Sequence, residues 1–156
     1  MITMTRKFCS LFICVFLLFS LAACAPSDGI PKEAKKLFQN YLDYLKSDRV
    51  EAAKLIIFKD DAERKDFEES PPSISTFKIL KWEKINDSIW AVQWESTRPN
   101  SQSEAVVYTN WSFVLLRDGQ YIIARSLASV PRVFRDTFDI EPYIPTDGTM
   151  LPNFYD

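Results

Sequence analysis

Ser70-Pro71-Pro72-Ser73 splits the chain into two halves with different hydrophobic periods. Proline fixes its own φ, lacks a backbone N–H and disfavours helix in the residue before it, so no helix runs through this point. Pro31 suits a first helical turn, where its missing N–H costs nothing. After it Ala34, Leu37, Phe38, Tyr41, Leu42 and Leu45 recur at three- and four-residue steps, with Lys32, Glu33, Lys35, Lys36, Gln39 and Asp43 between them. This spacing predicts an amphipathic helix to about Lys46. Asp48 followed by Glu51 reads as a capping box opening a second helix, with Val50, Ala53, Ile56 and Ile57 on its apolar side. The charged stretch 60–69 predicts a third short helix, pinned by Ala62 and Phe67.

Beyond Ser73 the period becomes two, with β-branched and aromatic residues alternating with polar ones. Strands are expected over 74–85, 88–96, 105–116 and 121–128, separated by an Asn86-Asp87 turn, a polar loop over 98–104 and the hairpin turn Arg117-Asp118-Gly119-Gln120. Asp-Gly supplies the positive φ angles of a type I′ turn. Helices first and then an antiparallel meander define an α+β fold, with the N-terminal helices packed on one curved antiparallel sheet of about four strands. All four tryptophans, Trp82, Trp90, Trp94 and Trp111, fall on these strands. Each can bury ~150–250 Å², so they and Phe113 are expected to hold the helix-facing side.

Ile89, Ala91, Tyr108, Val114 and Leu116 are assigned to the outer face, which needs a cover: a second protomer, a partner protein or the C-terminal tail. One domain over 31–130 is expected, followed by a Pro-rich tail over 131–156. The tail carries Tyr143, Ile144, Leu151, Phe154 and Tyr155, and a segment so apolar should lie partly on the domain.

The first residues carry a different signal. Arg6-Lys7 precede an apolar run from Phe8 to Ala23 broken only by Ser10 and Ser20, and no acidic residue occurs before Asp28. This is a charged n-region followed by an apolar h-region, shorter than the ~20 residues that span a hydrocarbon core. Leu21-Ala22-Ala23-Cys24 resembles the lipobox of bacterial lipoprotein precursors. That resemblance implies a signal peptide over 1–23, cleavage between Ala23 and Cys24, and diacylation of the Cys24 sulfur. Acyl chains contribute ~0.8 kcal/mol per buried methylene, so two or three of them hold a protein durably on a bilayer. Residues 24–30 would form a short tether. Cys9 and Cys14 leave with the signal peptide and Cys24 carries lipid, so the mature domain has no disulfide and depends on its core. Ala25, rather than Asp, follows the lipid cysteine. This predicts the outer membrane in a two-membrane bacterium and otherwise the outer face of the single membrane.

A second resemblance lies in the domain itself. The helix and its short successor, with Lys46-Ser47-Asp48 before Val50-Glu51-Ala52-Ala53, are similar to the opening of the nuclear transport factor two-like superfamily, also called cystatin-like or cone-shaped. The run from Trp111 through the Asp118-Gly119 turn to Ala124 is similar to its closing hairpin. The resemblance covers roughly residues 31–128 and implies an apolar cone between helices and sheet, which different members use for isomerisation, binding or assembly. An isomerase of that kind needs an Asp base with a Tyr and a protonated Asp as donors. Here Tyr41 lies on the apolar helix face, but no Asp interrupts the expected strands.

Composition narrows the chemistry further. The chain has no His, which excludes a Ser-His-Asp triad and His-metal sites, and its three glycines are too scattered to cradle a phosphate. Without Arg6 and Lys7, 17 basic side chains face 21 acidic ones, a formal charge of −4, which is a poor match for nucleic acid. Ser75-Thr76-Phe77-Lys78 matches the Ser-x-x-Lys pattern of penicillin-binding enzymes, but it opens a strand, where the two side chains point oppositely, and the partner motifs are missing. The acidic run Asp60 to Glu69 lacks the glycine and alternating oxygens of a calcium loop. No metal or cofactor is expected.

The expectation is therefore a membrane-anchored, non-catalytic binding or interaction module, with Tyr41, Trp90, Trp94, Trp111 and Phe113 as possible pocket lining. The alternatives are a small-molecule carrier or isomerase-like enzyme using the cone, and an accessory subunit of an envelope complex. The partners expected are the membrane, through lipid on Cys24, and a protein partner or second copy on the sheet face.

Overall fold

The computed structural model describes residues 28–72, 74–99 and 104–144. The expected signal peptide, Ala23, Cys24, most of the tether and the last twelve residues of the tail lie outside the described residues. The fold is α+β, with helices packed against a four-stranded antiparallel sheet of order β1-β2-β3-β4. No helix among the described residues is long and apolar enough to cross a membrane.

Helix α1 (Lys32–Ser47) buries Ala34, Phe38, Tyr41, Leu42 and Leu45, the stripe its spacing predicts. Each fully buried large apolar side chain contributes ~1.5–3 kcal/mol. The helix stops at Asp48, whose extended backbone turns the chain and whose side chain accepts from Glu51 N at 3.0 Å to cap α2 (Arg49–Ala53). Only half of the expected capping box forms, because the Glu51 carboxylate pairs with Lys54 instead of reaching back.

Helix α2 is shorter than its apolar pattern suggests, and Val50 is exposed. The chain leaves the helix after Ala53 because the sheet edge competes for its backbone. Ile57 N donates to Ile123 O at 2.9 Å, and Ile123 N donates to Leu55 O at 2.8 Å. Helix α3 (Asp61–Glu69) is capped by Asp60, which accepts from Glu63 N at 2.8 Å. Phe67 pins it from the buried side; Ala62 is exposed and does not.

The strands are β1 (Thr76–Lys84), β2 (Ile89–Pro99), β3 (Ala105–Arg117) and β4 (Gln120–Ala124). Strand β2 runs into the expected polar loop as far as Pro99, paired with Ala105. Asp118 (φ 51°) and Gly119 (φ 77°) are both left-handed, as a type I′ hairpin requires. A bulge at Leu80 shifts the β1–β2 register, so that Phe77 and Ile79 before it and Trp82 after it all pack on the helix side.

Register also decides which aromatics face the helices. Trp90 pairs with Val114 and Ala91 with Phe113, so residues directly opposite share a face. Trp82, Trp90, Trp94, Val114 and Leu116 therefore pack in the helix-side core. Trp111, Phe113, Ile89, Ala91 and Leu115 pack on the far side. This corrects the expectation that Trp111 and Phe113 support the helix side and that Val114 and Leu116 lie outside. Tyr108 alternates with the same set as Val114 and is 43% exposed.

The far side is covered by the chain's own C-terminal segment. A 3₁₀ turn (Leu127–Ser129), helix α4 (Arg132–Arg135) and a second 3₁₀ turn (Glu141–Tyr143) lay Leu127, Val130, Phe138 and Tyr143 on it. The Tyr143 ring meets those of Trp111, Phe113 and Phe138 at centroid distances of 5.1, 5.3 and 5.9 Å. Its hydroxyl donates to Glu83 Oε1 at 3.0 Å. The expected fourth strand ends at Ala124 because the chain must turn here to cross the sheet.

Candidate functional site

A cleft of about 410 Å³ opens between α1, α2 and α3 on one side and the ends of β2 and β3 on the other. Tyr41 and Leu45 come from α1, Arg49 from α2, and Glu63, Asp66 and Phe67 from α3. The sheet supplies Trp94, Arg98 and Asn110, and Arg125 follows β4 directly. Ser70 and Ile74, on either side of the Pro71-Pro72 break, complete the rim.

Trp94 forms part of the floor, and its ring edge packs on Phe38 at 6.3 Å. Its indole N–H donates to Ser112 Oγ at 3.1 Å, so the aromatic face is fixed from below. Tyr41 is 2% exposed, yet its hydroxyl has no hydrogen-bond partner among the described residues. The ring is buried while the hydroxyl opens on the cleft, where water or a ligand can accept from it. Burial pushes this phenol up to about 12, against the opposing pull of the Arg125, Arg49 and Arg98 guanidiniums. At neutral pH Tyr41 is therefore a neutral donor in a field set by three cations.

Each guanidinium is positioned by different contacts. Arg49 stacks over Phe67 at 4.6 Å and donates to Pro71 O at 3.2 Å, and burial lowers its pKa from the ordinary value. Arg125 pairs with Glu63 and lies over Phe58 and Phe67 at 5.4 and 5.1 Å. Glu63 is also held by Lys59 N at 2.8 Å, which ties the start of α3 to the cleft. Arg98 donates to Ser96 Oγ at 3.2 Å and stacks over Tyr108 at 5.3 Å. It has no carboxylate partner among the described residues. The lining carries three guanidiniums and two carboxylates, a formal charge of +1.

The structure brings only part of the expected pocket lining together. Tyr41 and Trp94 face the cleft. Trp90 is buried toward the start of α1, donating to Gly29 O at 3.3 Å and packing on Tyr121 at 5.7 Å. Trp111 and Phe113 lie across the sheet under the C-terminal segment. Sequence reasoning missed Arg49, Arg98, Arg125 and Asn110. The available signal was Arg125, a charge inside an otherwise apolar expected strand.

The other motifs have structural roles. Ser75 Oγ donates to Thr97 O at 3.1 Å, and Lys78 is exposed. Asp60 caps α3, and Glu63, Glu68 and Glu69 pair with Arg125, Arg64 and Lys65. Asn110 Nδ2 bonds Ser96 Oγ and Tyr108 O. Among the described residues no three potential metal-ligating Cys, Asp or Glu side chains converge.

No protein-family model matches the chain, and no curated protein matches it in sequence.

Proposed function

We propose that this chain is an exported lipoprotein, cut before Cys24 and held on the membrane by acyl groups there. In this reading its α+β domain is a cone-shaped module of the nuclear transport factor two-like kind that binds a small ligand without turning it over. The lipobox-like Leu21-Ala22-Ala23-Cys24 after an apolar run supports the anchor. The helix-then-hairpin order supports the superfamily reading. The binding role rests on one observation, the buried Tyr41 side chain that lines the cleft with its hydroxyl unpaired among the described residues. The membrane is the outer one in a two-membrane envelope and otherwise the single one, facing outward.

Envelope fractionation with intact-mass measurement tests the anchor. The wild-type chain is expected in the membrane fraction, lacking residues 1–23 and carrying the mass of acyl groups on Cys24. The Cys24→Ser chain is expected to stay unprocessed and to carry no lipid. Unchanged cleavage and unchanged sedimentation with vesicles after that substitution would refute the anchor.

A further inference from the structure

We infer that the cleft takes a small monoanion with an apolar body, a carboxylate or a phosphodiester. Its charged end would lie between the Tyr41 hydroxyl and the Arg98 guanidinium, and its body against Trp94, Leu45 and Ile74. This deepens the reading of the cleft as the binding site and rests on it.

Three observations carry the inference. The polar groups with unspent capacity are donors: among the described residues the Tyr41 hydroxyl, which lines the cleft, has no partner, and Arg98 is bonded only to a serine hydroxyl and a ring face. Donors that converge without acceptors select a negatively charged acceptor, and a guanidinium fork matches the paired oxygens of carboxylate and phosphate. The charge balance sets the valence. Glu63 pairs with Arg125, and over the lining as a whole three guanidiniums against two carboxylates leave a formal +1, which a single negative charge meets. The apolar walls set the body, because Trp94, Leu45 and Ile74 line the cleft and offer packing contacts that a bare inorganic anion would not use.

The test uses the full chain in nonionic detergent with ¹³Cζ-labelled tyrosine, the Tyr41 signal being assigned with Tyr41→Phe. Three probes share one body: 4-phenylbutyrate, the methyl phosphodiester of 4-phenylbutanol, and 4-phenylbutanol itself. One or both anions should move the Tyr41 signal saturably, and the tighter of the two identifies the headgroup chemistry. Arg98→Gln should weaken that anion by about ten- to a hundredfold, the loss expected for one charge-assisted hydrogen bond. Raising salt from about 0.05 to 0.5 M should weaken it further. If the alcohol binds as tightly as the anions and Arg98→Gln changes nothing, the anion inference is overturned while the cleft remains a ligand site. If no probe moves the Tyr41 signal, both the inference and the binding role of the cleft fail.

Discussion

Trp94 on β2 donates its indole N–H to Ser112 Oγ on β3 at 3.1 Å, and Ser112 donates in turn to the backbone carbonyl of Arg125 at 3.0 Å. One fully buried serine thus joins the aromatic floor of the cleft to the backbone that carries one of its three guanidiniums. Ser112→Ala leaves an indole donor and a carbonyl unsatisfied in the interior. Denaturant unfolding should show a loss of about 1–3 kcal/mol. A loss indistinguishable from zero would mean that this relay is not formed.

The Leu80 bulge sets which face of β1 meets the helices. Deleting Leu80 removes the extra residue and leaves Ile79 and Trp82 two positions apart, so a regular ladder with the same partners keeps Phe77, Ile79 and Trp82 on the helix side. Deleting Lys78 instead makes Phe77 and Ile79 adjacent, so one of them leaves the helix side, at an expected cost of up to about 3 kcal/mol. Leu80→Ser, at a position 40% exposed, should stay within about 0.5 kcal/mol. Equal stabilities of the two deletions in thermal unfolding would contradict the register.

Tyr143 fastens the C-terminal segment to the far side of the sheet. Tyr143→Ala should cost about 3–5 kcal/mol through lost aromatic packing. Tyr143→Phe should cost about 1 kcal/mol, because Glu83 is partly exposed and water screens the bond. Lys81 first, and then Tyr143, hold the Glu83 carboxyl below its ordinary value, while burial opposes them. A depressed carboxylate contributes stability above the ordinary carboxylate range and loses it as pH falls through its folded value. The gap between wild type and Tyr143→Phe should therefore narrow in acid, as urea midpoints measured across pH would show.

Much of this fold was legible in the chain, and the gaps have physical causes. The α1 stripe and the Asp118-Gly119 hairpin depend on local spacing and local backbone angles, and both form where the residues place them. The sidedness of Trp111, Phe113, Val114 and Leu116 depends on how β2 pairs with β3, which alternation within either strand does not fix. Helix α2 ended early for a non-local reason, the hydrogen bonds between residues 55 and 57 and Ile123. Tyr41 and Trp94 were legible as cleft residues because an apolar face carried a polar tip. Arg49, Arg98 and Arg125 were not, because three arginines from three separate segments meet only after folding.

Tyr41 titrates at about 12, raised chiefly by burial. A raised phenol contributes stability that is complete below its ordinary value near 10 and is lost as pH rises through the folded value. Wild type should thus lose stability between about pH 10 and 12, and Tyr41→Phe should lose less over the same window. Denaturant unfolding at stepped alkaline pH reads the difference; parallel curves would mean that the hydroxyl is solvated.

The binding claim is tested most directly by a crystal structure of the chain grown with 4-phenylbutyrate. The account predicts the carboxylate within hydrogen-bond reach of both Tyr41 Oη and the Arg98 guanidinium, with the phenyl ring against Trp94. A cleft without the probe, with the Tyr41 hydroxyl turned to a protein acceptor, would contradict it.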